Sequence, residues 1–316
     1  MSISNNKKPG KITMEKKLIK GGLLLIVLSM CLFGCRQRKV QKKRQKNTTT
    51  EKQKIQTRQI KKSNWIIELD PGHGGNDSGA IAGSESRLQE KNINLKIAQY
   101  IQEELSDQPN IKVYLTRNTD TKTDLNDRVT KAVKDKADLF ISIHNNAKGE
   151  IVDYDHGCTV IVPTGNYNKA ISNKAQILGC QFLKYLGKLG ITDQGLLMRT
   201  SENNQRYPNG QLKDYYAVIR QSVEQKIPGV IVEHAFVDHK EDARQFLSDD
   251  TKIRKLARAD AKAIKDYCFG KIKQEKTEKL ILVTDPKGSH NKYSKKKFVL
   301  YGEYPKVCVN LQTDVR

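Results

Sequence analysis

The sequence carries six cysteines but no Cys-x-x-Cys pair, so the spacing of a zinc knuckle or a dithiol redox centre is absent. No Gly-Lys-Ser or Gly-Lys-Thr follows its glycine-rich stretches, which excludes a phosphate loop. No apolar run reaches the roughly 20 residues that cross a bilayer comfortably, and no internal repeat is visible. Acidic residues are nearly missing from one region: residues 1 to 64 contain 2, against 18 lysines and arginines.

That scarcity decides how the formal charge of +22 is read. Residues 65 to 270 hold 28 acidic and 28 basic residues, and residues 271 to 316 hold 5 and 11. The part able to fold is therefore neutral, and the basic character belongs to its flanks. A charge distribution of this kind does not describe a globular nucleic-acid-binding surface. A hydrophobic fraction of 37% over 316 residues suffices for a core in part of the chain.

The flanks have an order of their own. A basic stretch ending in MEKKLIK precedes GGLLLIVLSMCLFGC, an apolar segment of about 15 residues that reads as a secretion signal. Its end, LFGC, resembles the bacterial lipoprotein signal, in which a small residue precedes the cysteine that is lipidated and becomes the mature N-terminus. The resemblance implies lipidation at Cys35, although Phe33 stands where that pattern has a small or β-branched residue. Residues 1 to 35 are read as this signal, with Met14 as an alternative start and an uncleaved short anchor as the alternative architecture. Both place the rest of the chain outside the cytoplasm. Residues 36 to 64, with 12 basic residues and one acid, are expected to be a disordered tether. Its charge suits anionic lipid headgroups or acidic wall polymers, with a merely solvated spacer as the equal alternative, and an exported chain is not expected to meet nucleic acid. Among the remaining cysteines, Cys158 and Cys180 are expected to be buried thiols, and a Cys268 to Cys308 bridge would tie the tail to the core.

From Trp65 apolar runs of strand type alternate with amphipathic runs of helix type. WIIEL, KVYLTR, DLFISIH, GCTVIVP and GVIVEHAFV read as strands. EKNINLKIAQYIQEEL reads as a helix with Ile93, Ile97, Ile101 and Leu105 on one face. DLNDRVTKAVKDKA follows suit, with Asp124 as its cap and Leu125, Val129 and Val133 spaced for burial. NKAISNKAQILGCQFLKYLGKL and DDTKIRKLARADAKAIKDYCF are two longer helices, the second capped by Asp249 or Asp250. The alternation implies one α/β domain over residues 65 to 270, a mostly parallel sheet covered by helices on both faces. Residues 271 to 316 form a basic C-terminal extension, either an extra hairpin or a disordered appendage.

Open α/β sheets build their sites beyond the carboxyl ends of strands. His73 follows WIIEL, His144 ends DLFISIH and Glu233 ends GVIVE. Each has a bland alternative: His144 as a loop cap, Glu233 as a partner of a buried arginine, His73 as an exposed turn residue. Jointly they converge on one sheet edge, which the bland readings do not explain. A hydrolytic zinc site takes three ligands from histidine and carboxylate and keeps a position open for water. Glu90, which opens the helix after the His73 loop, is a candidate third ligand; it could equally serve the helix dipole.

The stretches IIELDPGHGGNDSGA, QEKNINLKIA, VYLTRNTDTKTDLNDRVTKAVKDKADLFISIHNNA and IPGVIVEHAFVDH resemble, in order, the motifs of the zinc-dependent N-acetylmuramoyl-L-alanine amidases, the amidase type 3 family. The resemblance covers about Trp65 to Tyr267, roughly two thirds of the chain. It implies that His73, Glu90 and His144 bind Zn²⁺, that Glu233 is the catalytic acid/base, and that the substrate is peptidoglycan. The bond cut would join the lactyl group of N-acetylmuramic acid to L-alanine of the stem peptide.

The chain departs from that family around Glu233, with Ala235 where glycine is usual and His239 where asparagine is usual. Ala235 is expected to narrow the floor of the site, and His239 to add an imidazole near the metal. His234 is expected to point away from Glu233, as strand neighbours do. EHAFVDH has the wrong order for an HExxH zinc helix. Arg117, Arg128 and Arg220 are assigned to packing and salt bridges, and His156 and His290 to the surface. The polar stretch RTSENNQRYPNGQLKDYY is expected to flank the groove for the stem peptide. Two rival functions remain open: another zinc amidohydrolase or peptidase acting on the wall, and a wall-binding lipoprotein without turnover.

Overall fold

The computed structural model describes residues 62, 64–82, 88–148, 155–270, 278–283 and 294–299. Cys35, the signal and nearly all of the tether lie outside the described residues, as do His290 and Cys308. Among the described residues no helix is long and apolar enough to cross a membrane.

Eight strands form one sheet in the order β2-β1-β3-β6-β4-β5-β7-β8. They are β1 (Trp65–Pro71), β2 (Ile111–Leu115), β3 (Leu139–Asn146), β4 (Cys158–Ile161), β5 (Asp193–Met198), β6 (Gly229–Phe236), β7 (Glu278–Val283) and β8 (Ser294–Val299). The helices are α1 (Glu90–Glu104), α2 (Leu125–Lys134), α3 (Lys169–Gly187), α4 (Ala217–Glu224) and α5 (Asp250–Phe269), with a helical turn at Lys240–Asp242 that runs into a π-helical turn at Ala243–Leu247. Strands β2, β1, β3 and β6 pair in parallel, β4 runs antiparallel to β6, and β5 is parallel to β4. The sheet is thus mostly parallel, as expected. In the C-terminal extension β7 and β8 pair antiparallel, and β7 adds in parallel to the β5 edge.

Alternation along the strands assigns the two faces. On one face Ile67, Leu69, Ile141, Ile143, Val230 and Val232 form a core with residues of α1, α3 and α5. On the other, Phe140, Ile231 and Leu197 pack with Val129 and Ala132 of α2 and Val218 and Ile219 of α4. The α1 stripe is as the spacing predicts: Ile93, Ile97, Ile101 and Leu105 are all buried, each worth about 1.5–3 kcal/mol of apolar transfer. Asp249 caps α5 by accepting from the Lys252 amide at 3.0 Å.

Three expectations are corrected. Leu125 and Val133 are exposed, and only Val129 of that set is buried. The buried face of α2 is Arg128, Val129 and Ala132, because Arg128 is drawn inward to Asp70 at 2.7 Å. Asp124 occupies the N-cap position of α2 without a side-chain capping bond. Strand β5 was not anticipated: DQGLLM is short, opens on two polar residues and holds a glycine, features that depress strand propensity.

Candidate metal centre and catalytic carboxylate

Parallel pairing of β1, β3 and β6 carries their carboxyl ends to one edge. His73 lies just past β1 and His144 within the end of β3, with their rings 5.0 Å apart. Glu90 opens α1 and is 4% exposed. Its Oε2 lies 3.1 Å from His73 Nε2 and its Oε1 lies 3.0 Å from His144 Nδ1. One ligand atom from each of the three falls within 4.8 Å of the others. A carboxylate serving only the helix dipole would face water; this one is buried and faces two imidazoles.

The surroundings fix the three groups. The His73 Nδ1 donates to Asp77, 3.0 Å from both carboxylate oxygens, which leaves Nε2 as its donor atom toward the cluster. Such a carboxylate behind a histidine sets its tautomer and orientation in metal sites. Glu90 accepts from the Ala80 and Asn145 amides at 2.9 and 3.1 Å and from the Asn94 side chain at 3.2 Å. Asn145 in turn donates to Asn94 at 2.8 Å. Against the cost of burial, the two imidazoles hold the Glu90 carboxyl well below its ordinary range. Burial opposes protonation of His73, but Glu90 and Asp77 outweigh it and push the imidazole up to about 9.

Two buried guanidiniums shape the His73 turn. Arg117 donates to the carbonyls of Pro71 and Gly72, both at 2.9 Å. Arg128 bonds Asp70 and the carbonyls of Pro71 and His73 at 2.7, 3.0 and 3.1 Å. Arg220 donates to the Tyr215 carbonyl at 2.7 Å. Of the three, Arg117 and Arg128 are buried, and among the described residues only Arg128 forms an ion pair. His73 itself has φ of 59°, a conformation costly for a residue with a Cβ. Space, as well as turning, requires the glycines: a Cβ at Gly72 would lie 2.2 Å from His144 Nε2, and one at Gly79 would lie 2.4 Å from Glu90 Oε2.

This arrangement passes a test of fit for zinc. Two imidazoles and a carboxylate are a donor set of catalytic zinc sites, their donor atoms converge, and the glycines keep side chains out of the cradle.

Glu233 of β6 stands in register with His144 of β3. The even positions of β3 and the odd positions of β6 share a face, so the two side chains project together. Glu233 Oε2 is out of solvent and makes no hydrogen bond. Burial raises its carboxyl to about 7, with the His144 charge working against the shift.

Residues 67–266 match the family model described as Amidase_3, N-acetylmuramoyl-L-alanine amidase. The chain belongs to this family. It is 49% identical over 82 residues to N-acetylmuramoyl-L-alanine amidase AmiC of Escherichia coli O6:H1, a match spanning 26% of this chain and 19% of that protein. It is 30% identical over 199 residues to the endolysin of Bacillus phage SPP1, covering 63% of this chain and 64% of the endolysin. The chain thus spans less than two thirds of either relative. Among solved structures, Cwp6 from Clostridium difficile superposes with a TM-score of 0.54 at 29% identity, over 65% of this chain and 29% of that one.

Other residues of this amidase-family chain depart from expectation. Ala235 is buried in the core shared with α1, α3 and α5 and does not line the floor of the site. His239 accepts from the Asp242 amide at 3.3 Å and caps the turn at Lys240–Asp242. Its ring lies 5.6 Å from that of His156, and it is not part of the cluster of His73, Glu90 and His144. Cys158 and Cys180 are buried, as expected; the pairing of Cys268 with Cys308 falls outside the described residues. The stretch from Arg199 to Tyr216 folds back on itself through bridges at Thr200–Asp214 and Arg206–Leu212. Tyr216 at its end has its phenol raised to about 12 by burial, with Arg199 opposing and the Glu233 charge adding.

Sequence reasoning overlooked Asp77, Asn94 and Asn145. Asn94 follows Glu90 by four on one helix face, a signal the sequence carries; Asp77 lies in the loop after His73, where the same spacing carries none.

Proposed function

We propose that this protein is a peptidoglycan amidase in which His73, Glu90 and His144 hold Zn²⁺ and Glu233 is the proton carrier. The bond cleaved is the amide between N-acetylmuramic acid and L-alanine of the stem peptide. The observation that carries this reading is the convergence of a His-Glu-His donor set, built round the buried Glu90, with an unbonded carboxylate on one sheet edge, in a chain of the amidase family.

When bound, zinc supplies Lewis acidity that polarises a carbonyl and makes water acidic near neutrality. The rest falls to side chains. Glu233 Oε2, without a competing hydrogen bond, is free to take the proton of the attacking water. As the C–N bond breaks, the same carboxyl returns the proton to the departing amine, leaving a lactyl carboxylate and a free alanine amino group. Burial raises the Glu233 pKa, the direction that lets one carboxyl both take and return a proton. Asp77, Asn94 and Asn145 keep the donor set oriented, and Arg117 and Arg128 hold the turn that presents His73.

The family's site of action, the cell wall, fits a location outside the cytoplasm. Anchoring through Cys35, with the basic tether of residues 36 to 64 lying along anionic headgroups or wall polymers, belongs to the same proposal. Purified wall tests the function: digestion should expose new L-alanine amino termini, and release of acetate or D-amino acids instead would point to a different zinc amidohydrolase. An intact wall after treatment with zinc-loaded protein would support the wall-binding reading.

A further inference from the structure

Two successive residues of β6 meet different surroundings. Glu233 faces the donor set, whereas His234 is completely buried on the opposite side, against α5. His234 Nε2 lies 2.6 Å from Oδ2 of Asp260, also completely buried. Its Nδ1 lies 2.9 Å from the carbonyl oxygen of His144. The β3–β6 ladder is irregular at this point. His144 is opposite Glu233, but Asn146 is opposite Phe236, so β6 carries one extra residue across the interval. A bulge interrupts pairing and re-aims side chains, and here an imidazole donates to a carbonyl beside the interruption.

The protons follow from the partners. A carbonyl oxygen only accepts, so Nδ1 carries a proton. Nε2 faces a carboxylate, and one further proton is shared between them. Nδ1 therefore donates to the backbone of a site residue, while Nε2 lies against the Asp260 carboxylate of α5.

We propose that His234, oriented by Asp260, is a positioning residue whose Nδ1–H holds the His144 carbonyl and thereby sets the His144 ring against the Glu233 carboxylate across the bulge. This rests on the reading that His144 binds zinc and Glu233 moves the proton. Sites of this kind tolerate displacements of only about 0.5 Å, and a ligand's own backbone is a direct lever on that distance.

Two substitutions separate positioning from packing. In His234→Asn the side-chain amide nitrogen falls near the Nδ1 position, so the donor to His144 is kept and the Asp260 contact is lost. In His234→Gln the amide nitrogen falls near the Nε2 position, so the Asp260 contact is kept and the donor to His144 is lost. Each zinc-loaded variant is compared with the wild-type protein for Tm, for zinc affinity by chelator competition, and for kcat and KM on soluble muramyl-peptide fragments. His234→Gln is expected to lose about 10-fold or more in kcat or zinc affinity, with KM within about threefold. His234→Asn is expected to stay within about threefold in both while losing more Tm. Equal losses in the two variants, or wild-type behaviour of His234→Gln, would overturn the proposal. If neither variant folds, ¹⁵N NMR of the wild-type protein decides: a protonated Nδ1 hydrogen-bonded to His144 supports it, and an unprotonated Nδ1 overturns it. Should the wild-type protein cleave no amide, the functional reading fails, and the zinc affinities still judge the positioning role.

Discussion

His144 of β3 and Glu233 of β6 face each other across a parallel ladder, in direct register, at the carboxyl end of the sheet. One belongs to a donor set with the buried Glu90 and the partly exposed His73, and the other is a carboxylate with an unbonded buried oxygen. The ladder therefore places a candidate metal ligand beside a candidate proton carrier without help from a loop.

Substitution at these two positions should have different consequences. His144→Ala is predicted to lose both bound zinc and hydrolysis. Glu233→Gln is predicted to keep about one zinc per chain while kcat falls by about 10²–10⁴-fold, the range of general acid–base catalysis. Metal analysis and turnover measured on the same preparations check both.

Asp77 contacts the cluster only through His73. Asp77→Asn should weaken zinc affinity by about 10- to 100-fold, the usual effect of losing such a partner, with little change in Tm because Asp77 is largely exposed. Chelator competition and thermal melting distinguish this from a folding defect.

Gly79 is closed to any side chain by Glu90 Oε2 and His73 Cδ2, 2.4 and 2.7 Å from an added Cβ, and its φ is +62°. Gly79→Ala is predicted to displace the donor set and lower zinc affinity by at least about 10-fold. Isothermal titration with zinc would show it, and unchanged affinity would mean that the cradle is not the metal site.

Glu68 offers a prediction about stability. It is completely buried on β1, neither carboxylate oxygen has a hydrogen bond, and burial raises its pKa from 4.5 to about 8, with Lys131 opposing. Between those two pH values the folded state binds more protons than the unfolded state, so this group makes stability fall as pH rises. Glu68→Gln should remove that dependence. Its stability relative to the wild-type protein should increase from pH 5 to pH 8 by up to about 3 kcal/mol, and urea unfolding at the two pH values measures the difference.

The sequence exposes one part of this site far better than another. His144 and Glu233 end apolar runs and His73 follows one by a short turn, so a rule about strand ends is enough to bring them together. Glu90 was undecided between ligand and helix dipole, because spacing says nothing about whether a helix start faces water or a sheet edge. The rotation of α2 was hidden because Arg128 counts as polar in any periodicity, yet its bonds to Asp70 and two carbonyls bury it at the expense of Leu125 and Val133. His234 and Asp260 lie 26 residues apart; their pairing depends on how α5 packs on β6, which no local pattern encodes.

The central claim concerns which bond is cut, and labelling of new amino termini in purified wall tests it most directly. Zinc-loaded wild-type protein is predicted to release new L-alanine amino termini in step with solubilisation of the wall, and Glu233→Ala to release none. Solubilisation without new L-alanine termini, or their release by Glu233→Ala at the wild-type rate, would contradict the account.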